Sequence, residues 1–370
     1  MLRVDVAELR RLGGPAGAAA RVRSLVADGA SVAARVGEIL ASVRAGGDDA
    51  VLEHTRRLDT GGREPAPLLV AADELDEAIK TLPLELVAGL QVAIANVARV
   101  AEAGVRADPR VELPQGQRIT VREIPVAAAA VYVPGGRAPY PSTVVMGVVT
   151  ARAAGVIDVS VCSPPGPDGQ IHPAILGTCR LCGVERVYRM GGAQAIAALA
   201  YGTESIERVD KIVGPGNAFV TLAKHEVFGA VGIDQLAGPS EIVVIATDGA
   251  DPELVAADLV SQLEHDPLAW AVCLTDDAAL AEAIAAAFVD VAEDAARRAI
   301  IGMAAGRHAG VVRCGSLDEM VTLAAAFAPE HLSLQGRAAE TLRGSVRNAG
   351  AVFVGSMSPV SIGDYVAGPN

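Results

Sequence analysis

Aromatic residues make up only 3% of this 370-residue chain, with one tryptophan, five tyrosines and five phenylalanines. Its core must therefore be filled by Ala, Val, Leu and Ile, which suits close packing of helices on sheets. Basic residues are also scarce. The 31 Lys+Arg against 44 Asp+Glu leave a net charge of -13. No basic block exists to release counterions from phosphates, which argues against nucleic acid and anionic membrane surfaces as partners. Long hydrophobic runs are missing although 51% of residues are hydrophobic. Charge, Gly or Pro breaks each run before the ~20 residues that a span requires. The nearest stretch, residues 144–157, contains Arg152 and reads as a buried amphipathic helix, so no membrane segment is expected. The first residues, Met1-Leu2-Arg3-Val4-Asp5, carry no apolar h-region and no cleavage site, and the expected location is the cytoplasm. The five cysteines are too few, and odd in number, for a disulfide framework. Cys179-x-x-Cys182 has no second C-x-x-C and no nearby histidine pair. These two are expected to be ordinary thiols on a helix in a reducing compartment.

What is present is alternation. The length fits two or three domains. Residues 1–29 read as a helical arm rich in Arg and Ala. Helical spacing covers 31–58 and 72–104, with a Gly/Pro loop from Asp59 to Pro67 between them. From about residue 118, apolar runs of strand type alternate with helical stretches. The strand-type runs are 127–133, 156–162, 184–190, 211–213, 242–247, 271–275, 310–313 and 351–354. The helical stretches are 141–154, 173–182, 193–201, 216–228, 252–265, 277–298 and 316–326. This pattern predicts an α/β fold with parallel sheets covered on both faces. In such sheets ligands bind beyond the carboxyl ends of the strands, and the chemistry-bearing motifs are expected there.

Three separated segments carry metal-capable or proton-transferring side chains. In Ser261-Gln262-Leu263-Glu264-His265-Asp266, Gln262 and His265 are three apart and share one helix face. Glu330 and His331 are adjacent, just after Pro329. Asp364 lies in a glycine-flanked loop five residues after Pro359. Four glycine loops stand at strand ends: Tyr132-Val133-Pro134-Gly135-Gly136, Met190-Gly191-Gly192-Ala193-Gln194, Gly214-Pro215-Gly216-Asn217 and Ala237-Gly238-Pro239-Ser240-Glu241. Glycine lets backbone N–H groups approach a ligand, and a following helix N-terminus favours phosphate. A dinucleotide is the natural ligand. No G-x-G-x-x-G is present, so it would be held differently from the usual Rossmann mode.

The longer motifs resemble those of histidinol dehydrogenases. They are Y-V-P-G-G at 132–136, Y-P-S-T-V-V-M at 140–146, G-G-A-Q-A-I-A-A-L-A-Y-G-T at 191–203 and V-G-P-G-N at 213–217. A-G-P-S-E at 237–241, S-Q-L-E-H at 261–265, A-P-E-H-L at 328–332 and G-D-Y-V-A-G-P-N at 363–370 complete the set. The match runs in order from roughly residue 20 to the end. The resemblance implies NAD-dependent oxidation of L-histidinol through histidinaldehyde to L-histidine, by a homodimer holding a zinc ion. It implies that Gln262, His265 and Asp364 are zinc ligands and contact the substrate. His331 would be the base for alcohol oxidation and also a substrate contact, and Glu330 would activate water for the aldehyde stage. Ser240 would touch the substrate, and Tyr132, Gln194 and Asn217 would line the NAD site. His54, His172, His225 and His308 fall outside the motifs and read as structural or surface residues.

The fold implied is two Rossmann-like units. One is discontinuous, residues 30–128 and 241–370, with the metal and catalytic residues. The NAD-side unit, 129–240, is inserted in it, and 1–29 is the helical arm. The sequence departs from the family at two places. Gln235-Leu236 stands where a Met-Pro type dipeptide is usual. The chain ends at Asn370, where the family continues with a further zinc ligand, a substrate-side glutamate and a small C-terminal domain. Two other readings stay open: a non-catalytic or partner-dependent truncated paralogue, and a related zinc-dependent dehydrogenase of another amino alcohol or polyol.

Overall fold

The alternation of apolar strands and helices produces two separate sheets, each parallel throughout. The computed structural model describes residues 2–5, 30–135, 139–236 and 238–367. In chain order, β1 (Leu2–Asp5) precedes three helices, α1 (Ala30–Leu58), α2 (Ala72–Thr81) and α3 (Leu84–Gly104). A small antiparallel hairpin follows, β2 (Arg110–Glu112) with β3 (Arg118–Thr120). Then come β4 (Ala128–Tyr132), α4 (Pro141–Ala153), β5 (Asp158–Ser163), α5 (Pro173–Leu181), β6 (Val187–Arg189), α6 (Gly192–Tyr201), β7 (Lys211–Val213), α7 (Ala218–Val227) and β8 (Gly232–Ile233). The rest is β9 (Glu241–Ala246), α8 (Pro252–Leu263), β10 (Trp270–Thr275), α9 (Ala278–Asp294), α10 (Arg298–His308), β11 (Ala309–Arg313), α11 (Leu317–Phe327), β12 (His331–Gln335), α12 (Arg337–Glu340), β13 (Ala351–Val354) and α13 (Val360–Ile362).

The first compact unit comprises β1 and residues 238–363. Its sheet runs β1-β11-β10-β9-β12-β13. Side chains alternate across a strand, so Ile242, Val244 and Ala246 of β9 pack under α8, α9 and α10. Val243 and Ile245 face the opposite core with Met320, Leu323 and Phe327 of α11. The second unit comprises residues 30–236 and 364–367, with a sheet in the order β6-β5-β4-β7-β8. Ala130 and Tyr132 of β4 meet α1, α6 and α7 on one face. Ala129 and Val131 meet α2, α3, α4 and α5 on the other. Helix starts follow local chemistry. Asp251 accepts from the Glu253 amide at 2.9 Å with Pro252 at the first helical position of α8, and Ser316 accepts from the Glu319 amide at 3.2 Å to begin α11.

Several expectations are corrected. Residues 2–5 are an edge strand parallel to β11, not helix; Leu2-Arg3-Val4-Asp5 alternates with strand period. The remainder of the expected arm, 6–29, lies outside the described residues. Residues 30–128 do not join 241–363. Val36, Ile39, Leu40 and Val43 of α1 and Leu90, Ala93 and Val97 of α3 are built into the cores around β4–β8. Apolar helix faces show that a helix packs on something, but not on which sheet. The helix expected over 72–104 is two helices, because Leu82 before Pro83 is extended and proline cannot continue α2. The helix expected at 277–298 ends at Asp294, with α10 following. By length and composition α3 is long and apolar enough to cross a membrane, a stretch the reading of apolar runs passed over in favour of 144–157. Its Leu90, Ala93 and Val97 pack into the second unit's core. Cys179 and Cys182 are free, buried thiols at the end of α5.

The loop after β7 shows how tightly the second sheet is drawn. Gly214 has φ +116°, and a Cβ there would overlap the carbonyl oxygen of Tyr132. Gly214→Ala is expected to lower the unfolding free energy by about 1–3 kcal/mol, measurable by urea denaturation.

Candidate active site

The first unit's sheet changes direction of growth between β9 and β12. Right-handed crossovers return every helix to the amino edge of its sheet. Three sequence-predicted residues stand at that edge beside the switch: Ser240 before β9, and Glu330 and His331 at the start of β12. The C-terminal turn of α8 reaches the same edge and brings Gln262 with it. His331 Nδ1 lies 2.9 Å from Gln262 Oε1, and both residues are buried. An amide oxygen only accepts. The contact therefore places a proton on Nδ1, and in the neutral imidazole that tautomer puts the ring's lone pair on Nε2. Phe353 backs the imidazole edge-on, with ring centroids 5.9 Å apart. Glu330 Oε2 accepts from the Glu241 amide at 3.2 Å and stands 3.9 Å from His331 Nδ1. Ser240 is joined to this edge through its carbonyl, which accepts from Trp270 N at 3.1 Å.

This location corrects the expectation that the motifs lie beyond the carboxyl ends of the strands. In the first unit they lie at the opposite edge. Helix ends and strand starts belong there: Gln262 is in the last turn of α8, Ser240 precedes β9 and His331 opens β12. The α8-facing side of β12 is also unusual. Neighbouring strands present Ile, Val, Ala and Cys to α8, whereas β12 presents the buried polar residues His331, Ser333 and Gln335.

α8 ends at Leu263 with Glu264 as its C-cap. His265 follows in a turn closed by its amide on the Gln262 carbonyl at 3.4 Å. The shared helical face therefore reaches only the last turn. A helix C-terminus carries partial negative charge and favours a cation, which is compatible with the metal-ligand role expected of Gln262 and His265. Among the described residues no group of three His, Cys, Asp or Glu is clustered as a metal centre. Asp364 belongs to the second unit, in the π-helical turn Gly363–Ala367. Its side chain lies outside the described residues. Asn96 of α3 donates to the Val366 carbonyl at 2.7 Å, which fastens that turn.

In the second unit the direction of growth changes between β4 and β7. Here the predicted residues do stand at the carboxyl edge. Tyr132 ends β4, Gln194 lies in the first turn of α6 after β6, and Asn217 is the N-cap of α7 after β7. The Gly192 amide donates to Tyr132 Oη at 3.1 Å, so the phenol takes one of the helix-start amides that the glycine pattern offered to phosphate. Burial pushes that phenol's pKa well up. Asn217 Oδ1 accepts from the Phe219 and Val220 amides at 3.0 and 3.3 Å, leaving Nδ2 as its group for a ligand. Gln194 Nε2 donates to Asp59 Oδ2 at 3.3 Å, while Gln194 Oε1 is buried with no partner among the described residues, as is Ser163 Oγ at the end of β5.

Residues 23–370 match the profile of the histidinol dehydrogenase family. The chain belongs to the histidinol dehydrogenase family. It is 48% identical over 339 residues to the histidinol dehydrogenase of Parasynechococcus marenigrum (strain WH8102), covering 92% of this chain and 77% of that relative. It is 46% identical over 343 residues to that of Ruegeria pomeroyi (strain ATCC 700808 / DSM 15171 / DSS-3), covering 93% and 79%. The crystal structure of histidinol dehydrogenase from Elizabethkingia anophelis superposes with a TM-score of 0.87 at 34% identity, covering 90% of this chain and 77% of that one. The two-sheet α/β architecture is thus the fold of histidinol dehydrogenases, an oxidoreductase family.

Asp59 was not among the residues singled out by sequence; it marked only the start of a loop. Burial raises its carboxyl to about 6. The folded chain then binds that proton more tightly than the unfolded chain does. Asp59 therefore costs stability above about pH 6, and the cost is relieved as pH falls toward the ordinary carboxylate range. Asp59→Asn is expected to be stabilised relative to wild type at about pH 7.5, with the gap shrinking at about pH 4. Urea unfolding at the two pH values reads this directly.

Proposed function

We propose that this chain oxidises L-histidinol to L-histidine in two successive steps, using NAD, as a zinc-dependent cytoplasmic enzyme. The observation that supports it most is the buried Gln262–His331 contact at the amino edge of the first unit, with Glu330 beside it. The pair divides the chemistry by exposure. The His331 side chain is 6% exposed and that of Glu330 is 48%. A buried imidazole with its lone pair on Nε2 suits removal of the alcohol proton, sheltered from water. A half-exposed carboxylate suits removal of a proton from the water that attacks the aldehyde.

The donor chemistry fits a zinc ion. Gln262 Oε1 has two lone pairs; one faces His331 Nδ1 and the other remains for a cation. Gln262, His265 and Asp364 would hold the ion, a neutral oxygen, an imidazole and a carboxylate. When bound, it would fix the substrate's amine and imidazole. NAD, when bound, accepts the hydride of each step. The unpartnered Gln194 Oε1, the Asn217 amide and the buried Tyr132 fit a polar ligand at the second unit's switch point. Ser240 would contact the substrate.

Five free, buried cysteines support a reducing compartment. We read the functional state as a homodimer. Exposed Leu84, Val92 and Val100 on α3, with Val111 and Ile119 on the hairpin, offer apolar surface for a second copy. Sedimentation should then report twice the 37.7 kDa chain mass, and a monomer at micromolar concentration would count against it.

The direct test is incubation of purified protein with L-histidinol, NAD and zinc. Two NADH per histidine formed supports the assignment. A clear preference for a non-imidazole alcohol, or NAD and zinc binding without turnover, would overturn it. Glu330→Gln is expected to slow oxidation of supplied histidinaldehyde by about 10²–10⁴-fold while sparing the first hydride transfer. Equal losses in both steps would remove the role given to Glu330.

A further inference from the structure

Beneath the Gln262–His331 pair lies a second buried polar layer. Asp258 stands one turn before Gln262 on α8 and is 3% exposed. Its Oδ2 accepts from Gln335 Nε2 at 2.9 Å and from Ser333 Oγ at 3.2 Å, and its Oδ1 accepts from the Val360 amide at 3.3 Å. Ser333 and Gln335 follow His331 at strand period on the same face of β12. Val360 opens α13, four residues before Asp364 in sequence. One carboxyl therefore ties together the helix that carries Gln262, the strand that carries His331 and the segment that leads to Asp364. Its three partners are all neutral. An acid buried without a cation is costly, and an apolar side chain would serve packing alone better.

We propose that Asp258 is a positioning residue that sets the height of α8 on β12, and so the Gln262 Oε1 that both orients His331 and ligates the metal. The proposal rests on the zinc-dependent reading above. A ligand's outer partners commonly change metal affinity by roughly 10–100-fold when removed. The structure also supplies its own rescue. Among the described residues Gln335 Oε1 is buried without a partner. In Asp258→Asn, Oδ1 keeps the Val360 amide, and Nδ2 donates to Gln335 Oε1 once that amide turns over. In Asp258→Leu nothing replaces the carboxyl.

The test uses the full chain with Co²⁺ as the metal probe, its affinity measured by chelator competition. NADH binding is followed separately by fluorescence, since Tyr132, Gln194 and Asn217 belong to the other unit. Asp258→Asn is expected within about threefold of wild type, and Asp258→Leu roughly 10–100-fold weaker for Co²⁺ with NADH affinity unchanged. If the leucine variant does not fold, Asp258→Asn combined with Gln335→Leu removes the rescuing acceptor and is read the same way. A folded leucine or double variant that binds Co²⁺ like wild type overturns the positioning role alone. A wild-type chain that binds no Co²⁺ overturns the metal reading and this inference with it.

Discussion

The direction of the chain through a parallel sheet is the constraint on which the rest of this structure depends. Each strand runs the same way and each helix runs back, so strand starts and helix ends share one edge while strand ends and helix starts share the other. The two edges differ in electrostatic character. Helix C-termini present unpaired carbonyls and partial negative charge; helix N-termini present amides and partial positive charge. The first unit carries its candidate residues at the edge suited to a cation, the second at the edge suited to an anion. Gln262 and His265 at the end of α8, and Gln194 and Asn217 at the starts of α6 and α7, follow from that single geometric fact.

Much of this architecture is legible in the sequence, because apolar runs of strand length alternate with helical spacing and parallel sheets follow from that. The candidate residues Gln262, His265, Glu330 and His331 stand out in the sequence as polar groups at the ends of apolar elements, and the structure brings Gln262, Glu330 and His331 to one edge. What is not legible has physical reasons. His331-Leu332-Ser333-Leu334-Gln335 alternates polar with apolar, as a half-exposed strand does, yet all five residues are buried. No local signal says that its polar face is turned inward onto Asp258. The partition of α1, α2 and α3 between units is likewise invisible, because an apolar stripe does not name its partner. Edge strand β1 is four residues long and too short for a periodic signal to stand out.

In the first unit, buried polar groups gather where the sheet changes direction of growth: Asp258, Gln262, His331, Ser333 and Gln335. At the first unit's switch His331, Ser333 and Gln335 on the α8-facing side of β12 each make a side-chain hydrogen bond, with Gln335 Oε1 the exception left unpaired among the described residues. The energetic asymmetry favours such pairing. A buried hydrogen bond contributes only about 0.5–1.5 kcal/mol, whereas leaving one partner unsatisfied costs about 1–3 kcal/mol. Once a histidine is buried there, its neighbours are constrained in turn: Gln262 must accept, Ser333 and Gln335 must find an acceptor, and Asp258 provides it. The layer resists piecemeal change more than its individual bonds suggest.

The same reasoning bears on the glutamine at position 262, where a carboxylate could also stand. Its oxygen sits 2.9 Å from His331 Nδ1. A carboxylate at that distance would attract an imidazolium by several kcal/mol even at an effective dielectric constant of about 20. A carboxylate would fix the same tautomer, but it would favour the doubly protonated ring and would add a second buried negative charge one turn from Asp258. A neutral amide oxygen accepts from Nδ1–H without adding that charge and, on the proposed reading, would keep its second lone pair for a cation. On the proposed reading, one neutral side chain would serve both the metal and the base.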